Sequence, residues 1–148
     1  IGNGDITMDW IVHVLKRTVD TQYRTKADRR HTFLAGSSMG GLMTLYGLLA
    51  YPEVFSRGAA LSPSLWIDAE KVKAMIRHAR VKRNTVLYMD YGALEFADHP
   101  HSRSLFAEVS ALLIEKRVLL NSRIVPRGTH CEASWEKQIP FFMKTLFE

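Results

Sequence analysis

Apolar residues recur along this chain in two alternating patterns, one of helical spacing and one of short continuous runs. In residues 7–23 they return every three to four positions, which predicts an amphipathic helix. Residues 31–35 are a short apolar run bounded by Gly36, which predicts a buried strand. The alternation continues, with further helices predicted at 39–50, 68–79, 102–117 and 131–147 and further strands at 58–61, 85–90 and 122–125.

Strands that alternate with helices of these lengths predict right-handed crossover connections and a parallel sheet. The predicted fold class is therefore α/β, a three-layer sandwich with helices on both faces of the sheet. A chain of 148 residues is long enough for one packed core. Because no repeat or linker divides it, we expect a single domain over residues 1–148.

One segment between a predicted strand and a predicted helix, Gly36-Ser37-Ser38-Met39-Gly40, matches G-x-S-x-G. In that context the pattern is typical of a nucleophile elbow, a tight turn that lifts a serine above the sheet. It predicts Ser38 as the nucleophile and the backbone N–H of Met39 as an oxyanion donor. We expect Gly36 and Gly40 to be required because side chains would crowd the turn. The alternative interpretation is a closely packed glycine-rich turn without chemistry.

A serine hydroxyl needs a base, and in such folds the histidine comes last in the chain, on a loop that follows a strand. His130 meets this requirement because residues 126–130 directly follow the last predicted strand. The other histidines lie within predicted helices, at the start of a strand or beside a proline: His13, His31, His78, His99 and His101. His130 is therefore the predicted base.

Three carboxylates near the end of the strand 85–90 are candidates for the acid that orients the base. Glu95 is preferred because it follows the turn at Gly92, on a loop that can reach back toward His130. Asp90 still belongs to the strand, where alternation fixes the direction of its side chain. Asp98 and a Ser–His pair without an acid are the remaining alternatives.

Two tryptophans and the only cysteine lie near these candidates. Trp66 follows the strand 58–61 at the same edge as Ser38, so it either lines the substrate cleft or packs in the core. Trp135 is predicted to be a core residue that seats the loop of His130. Cys131 adjoins His130, but neighbouring loop residues generally point in different directions, so we predict a spacer and not a nucleophile.

Composition removes other classes of function. The net charge of +5 comes from two short basic groups where helices end, and no recognition motif accompanies them, so no nucleic-acid partner is expected. No apolar run approaches the roughly 20 residues of a membrane-spanning helix. The histidines are scattered and the cysteine stands alone, so neither a metal site nor a cofactor is expected. The opening residues, without Met or an export signal, suggest part of a longer protein.

Several motifs together resemble one family. They are Asp28-Arg29-Arg30, Gly36-Ser37-Ser38-Met39-Gly40-Gly41, Tyr51-Pro52-Glu53-Val54-Phe55 and Ser62-Pro63-Ser64-Leu65-Trp66. They are similar to motifs of the putative-esterase (esterase D-like) family of the α/β-hydrolases, which holds feruloyl, acetyl-xylan and enterochelin-type esterases and mycolyltransferases. Residues 128–135 resemble its histidine loop. Residues 91–95 resemble its acid loop, which favours Glu95 independently of geometry.

The resemblance implies a larger sheet than this chain provides. The predicted strands correspond to the last four of the family, together with the helix before them. The strand 31–35 would then lie at an unpaired hydrophobic edge, which soluble proteins avoid. We therefore expect another polypeptide to cover that edge, either an N-terminal half of the same protein or a neighbouring chain.

The resulting functional hypothesis is a serine carboxylic ester hydrolase that acts on a small-molecule ester through an acyl-enzyme. An acyltransferase that uses the same residues is the first alternative, with a sugar or alcohol in the place of water. A non-catalytic module on a hydrolase scaffold is the second. The acyl and alcohol groups of the substrate do not follow from the sequence.

Overall fold

The computed structural model describes residues 3–97 and 100–148, and its centre is a four-stranded parallel sheet. The strands lie in chain order, β1-β2-β3-β4, and every neighbouring pair is parallel. Their bounds are β1 Phe33–Ser37, β2 Arg57–Leu61, β3 Val86–Gly92 and β4 Leu119–Val125. The predicted α/β class with a parallel sheet is confirmed.

Helices cover both faces of the sheet because each face is apolar. The helices are α1 Gly4–Trp10, α2 Lys16–Gln22, α3 Met39–Ala50, α4 Ala69–His78, α5 Ser102–Glu115, α6 Glu132–Glu136 and α7 Ile139–Phe147. On one face α1, α3, α4 and α5 build the larger core, with Leu45, Ile76 and Leu113 fully buried. On the other face α7 packs Leu146 against Tyr88. No helix among the residues described is long and apolar enough to cross a bilayer.

Several predicted boundaries are wrong: the last strand begins at Leu119 instead of residue 122, and three others differ for local reasons. The first strand begins at Phe33, because Asp28 caps a 3₁₀ turn by accepting from the Arg30 N–H at 2.9 Å. The last predicted helix is two helices, since Pro140 has no N–H to continue α6 and instead occupies the first turn of α7. The first predicted helix begins at Gly4 and contains a π-helical turn, Ile11–Leu15, between α1 and α2.

Parallel register brings all four strand ends to one edge of the sheet. Ser37 pairs with Leu61, and Leu61 pairs with Asp90. On the far side Gly92 pairs with Val125. The loops that follow these strands therefore start side by side, and they carry every predicted site residue.

The strand that leads to Ser38 lies at the edge of the sheet as described. β1 pairs with β2 on one side, and its residues are at most half-buried. The ring of Phe33 contacts Phe147 of α7 edge-on, with the two ring centroids 5.4 Å apart. The covering of this edge by another polypeptide stays a prediction, as does the single-domain organisation over 1–148.

Candidate active site

The turn that carries Ser38 is strained. Ser38 joins β1 to α3 with φ 55° and ψ −119°, a conformation that costs a non-glycine residue about 1–3 kcal/mol. Gly36 is needed because a Cβ there would lie 2.6 Å from the carbonyl group of Gly40. The expectation for Gly40 was wrong, since a Cβ at Gly40 would meet nothing within 4 Å. The backbone of Gly40, and not its missing side chain, is what crowds the turn.

A backbone hydrogen bond to the neighbouring strand β2 fixes the same turn. The Ser38 N–H donates to the Leu61 carbonyl at 2.9 Å, and the Ser38 carbonyl accepts from Leu42 at 3.1 Å as α3 begins. Met39 is the first residue of α3, and first-turn amides have no carbonyl partner within their own helix. The Met39 N–H therefore belongs to the helical turn whose amides can bind an oxyanion. Its role as the oxyanion donor stays a prediction.

His130 lies between the other two predicted site residues. It follows β4 and precedes α6, and its Nε2 lies 2.8 Å from the Ser38 Oγ. Its Nδ1 lies 2.7 Å from Glu95 Oε2. Because an ionised carboxylate can only accept, Nδ1 carries the ring proton and a neutral His130 presents an unprotonated Nε2 to the serine. The Ser38 hydroxyl then donates to Nε2.

Glu95 is buried and fully engaged. Only 4% of the residue is exposed, and its second oxygen, Oε1, accepts from the Ser62 hydroxyl at 2.6 Å and from the Gly92 N–H at 2.8 Å. The loops of the acid and the histidine touch through their backbones: the Leu94 N–H donates to the Gly128 carbonyl at 3.0 Å. A Cβ on Gly92 would lie 2.4 Å from the Gly128 carbonyl carbon. These two glycines let Glu95 reach His130.

The alternative acid Asp90 has other partners. It is 1% exposed, and it accepts from the Tyr88 hydroxyl at 2.8 Å and from the Ser62 N–H at 3.1 Å. Burial raises the pKa of Asp90 above its usual range, although the bond from Tyr88 opposes that shift. Asp90 thus bonds the backbone of Ser62, whereas Glu95 bonds its hydroxyl. Asp98 and His99 lie outside the described residues.

Trp135 contacts His130, as predicted, but it is half-buried beside the smaller core and is not a core residue. Its indole ring meets the imidazole of His130 edge-on at 5.0 Å. Its Nε1–H donates to the Ser62 hydroxyl oxygen at 3.0 Å. An indole N–H can only donate and a carboxylate can only accept. Ser62 therefore accepts from Trp135 and donates its single proton to Glu95.

Trp66 and Cys131 were the remaining predicted side chains. Trp66 lies on a 3₁₀ turn, Leu65–Asp68, after β2 and is 50% exposed. The Cys131 Sγ lies 3.2 Å from the Thr129 hydroxyl, which lowers the pKa of the thiol. The imidazole of His130 faces Ser38, so the geometry favours the serine as its partner. Within residues 3–97 and 100–148, no group of three potential metal ligands comes together.

Two serines at this site were missed by the sequence analysis. Ser62 and Ser64 both follow β2, and both are buried against the three predicted residues. Their motif was noted only for its resemblance to a family. Its position at the same strand edge as Ser38 was the available signal.

Comparison with known proteins gives the family. Residues 5–144 match the family described as "Putative esterase". The chain belongs to this esterase family. A stretch of 71 residues is 35% identical to the iron(III) salmochelin esterase of Escherichia coli O6:H1, and it represents 47% of this chain and 17% of that protein.

Solved structures of hydrolases share the fold of this chain. A serine hydrolase from Shewanella oneidensis superposes with a TM-score of 0.74 at 20% identity, over 94% of this chain and 45% of its own. The enterobactin esterase of Shigella flexneri superposes with a TM-score of 0.70 at 24% identity, over 94% of this chain and 36% of its own. The chain thus spans less than half the length of these hydrolases.

Proposed function

We propose that this esterase-family chain carries the catalytic residues of a serine carboxylic ester hydrolase. Ser38 is the nucleophile, His130 the general base and Glu95 the acid that orients it. One observation carries the proposal: the continuous hydrogen-bonded chain from Glu95 Oε2 through both nitrogens of His130 to the Ser38 Oγ, at 2.7 and 2.8 Å. Nucleophile, base and orienting group in hydrogen-bond reach of one another are the requirement for nucleophilic catalysis.

The reaction then has two halves. His130 Nε2 takes the proton of Ser38 as the Oγ attacks the ester carbonyl carbon, and the tetrahedral intermediate expels the alcohol, which receives that proton. Water attacks the resulting acyl-enzyme with His130 again as the base. Glu95 stays ionised throughout and stabilises the imidazolium that forms in each half.

The oxyanion and substrate contacts follow from the position of the turn. The Met39 N–H, at the start of α3, donates to the oxyanion of the intermediate. Trp66 presents an exposed aromatic ring after β2 and contacts the acyl or alcohol group of a small-molecule ester. The chain forms one esterase domain, and further strands comparable to those of the longer relatives complete its sheet beside β1.

The test is hydrolysis of p-nitrophenyl acetate by the protein and by its Ser38→Ala variant. We expect the substitution to reduce kcat by at least ~10³-fold, as for the removal of other triad serines, with the thermal midpoint preserved. Ser110→Ala is a matched control, because it removes a hydroxyl that bonds another serine, Ser122, at 3.2 Å. A Ser38→Ala variant with near-wild-type turnover would contradict the proposal.

A further inference from the structure

We propose that two serine hydroxyls of one loop, Ser62–Ser64, hold the two ends of the Glu95–His130–Ser38 chain. Ser64 is a further catalytic residue that donates to the nucleophilic oxygen. Ser62 is a positioning residue that acts through Glu95. This inference rests on the proposed function, since it assigns roles around the same nucleophile.

Ser64 contacts the nucleophile twice. It is 2% exposed, its Oγ lies 3.3 Å from the Ser38 Oγ, and its N–H donates to the Ser38 carbonyl at 3.1 Å. The direction of the hydroxyl bond follows from counting protons. The proton of Ser38 is directed to His130 Nε2, so the Ser38 oxygen can only accept, and Ser64 is the donor.

That donor faces the oxygen that loses its proton during attack. As the Ser38 O–H bond breaks and its proton passes to His130, negative charge builds on the Ser38 oxygen until the bond to the acyl carbon forms. A hydrogen bond to a charged acceptor is about twice as strong as one between neutral groups. Ser64 therefore stabilises the oxygen more in the transition state than in the resting state, and it keeps its own proton throughout.

Ser62 holds the other end. It is 1% exposed and lies in the left-handed region at φ 41°, which disfavours a residue with a side chain. Its N–H donates to both the carbonyl and the carboxylate of Asp90, each at 3.1 Å. These bonds direct the Ser62 hydroxyl to Glu95 Oε1, which accepts from it at 2.6 Å. The indole N–H of Trp135 donates to the same hydroxyl oxygen at 3.0 Å.

The loop is short and packed, so it fixes the distance between acid and nucleophile. Pro63, whose ring restricts the backbone, separates the two serines. A Cβ on Gly41 of α3 would lie 3.1 Å from the Pro63 Cα and 3.0 Å from the Leu61 carbonyl oxygen. The helix that follows Ser38 is therefore in direct contact with the loop that orients Glu95.

The experiment measures kcat and KM for p-nitrophenyl acetate in Ser64→Ala and Ser62→Gly, with Ser110→Ala as the control. Glycine is used at position 62 because it tolerates the backbone conformation. We expect each variant to lower kcat about tenfold with KM within about twofold, less than the loss of a full oxyanion donor. Thermal midpoints of the three variants establish that each is folded.

A double-mutant cycle separates positioning from general destabilisation. If Ser62 acts through Glu95, adding Ser62→Gly to Glu95→Ala lowers kcat no further, whereas adding Ser64→Ala still lowers it. If Ser62→Gly does not fold, Ser62→Ala, which removes the same hydroxyl, takes its place in the cycle.

Each result has one meaning. A folded Ser64→Ala enzyme with wild-type kcat, or a loss confined to KM, overturns the role of Ser64. Additive losses of Ser62→Gly and Glu95→Ala overturn the role of Ser62. A wild-type protein that does not hydrolyse the ester refutes the proposed function itself, which distinguishes that failure from the failure of this inference.

Discussion

The change of Glu95 to glutamine is the most informative perturbation of the acid. Two donors, the Ser62 hydroxyl and the Gly92 N–H, point at Oε1, so the amide oxygen of a glutamine will occupy that position. Its NH₂ group then faces His130 Nδ1, which must become an acceptor. The ring proton moves to Nε2, where it faces Ser38 and prevents general-base catalysis. The fold is retained, because both buried bonds to Oε1 are kept.

The wrong tautomer lowers kcat by about 10⁴-fold when a serine protease triad undergoes the same carboxylate-to-amide change, and we expect a comparable loss here. The assay is steady-state hydrolysis of p-nitrophenyl acetate by Glu95→Gln, with Asp90→Asn as the matched buried control. We expect Asp90→Asn and Asp98→Asn to cost far less. A larger loss in either of them would refute the assignment of the acid, and no loss in any variant would indicate a Ser–His dyad.

Three further predictions concern the surroundings of the site. Gly92→Ala should lower both the thermal midpoint and activity, because its Cβ would lie 2.4 Å from the Gly128 carbonyl carbon, whereas Gly40→Ala should leave the thermal midpoint unchanged. Burial raises the pKa of Asp90, so its stabilising protonated form is lost as pH rises through that value. The thermal midpoint of the wild type relative to Asp90→Asn should therefore fall as the pH rises above about 4, the usual pKa of an aspartate, and a constant difference would contradict this. The amides of β1 should be protected from hydrogen exchange in the natural protein, whereas rapid exchange on the side away from β2 would indicate an uncovered edge.

The elements that could be predicted from sequence are those with a local physical signature. Alternating helical and strand periodicity predicted the α/β sheet, and Gly36 together with the strand before it and the helix after it predicted the strained turn at Ser38. His130 followed from the order of the elements alone. The elements and the turn depend on residues close to one another in the chain, and His130 depends only on the order in which the elements follow.

The features that were missed depend on contacts between distant segments. Glu95 was preferred over Asp90 and Asp98 from its place after Gly92 and from the family resemblance, but the close approach of Gly92 to Gly128 that brings it to the imidazole is seen only in the structure. Ser62 and Ser64 have no periodic pattern, and their position at the same strand edge as Ser38 was the one signal that the sequence offered. Their roles depend on the register of β2 with its two neighbours.

The most direct test of the central claim is covalent labelling with a fluorophosphonate, followed by intact-mass measurement and peptide mapping. The account predicts a single adduct on Ser38, absent in Ser38→Ala and formed much more slowly in His130→Ala, because the probe reacts only with a serine activated by a base. The Ser110→Ala control should label at the wild-type rate. An unlabelled wild-type protein, or an adduct on a serine other than Ser38, would contradict the account.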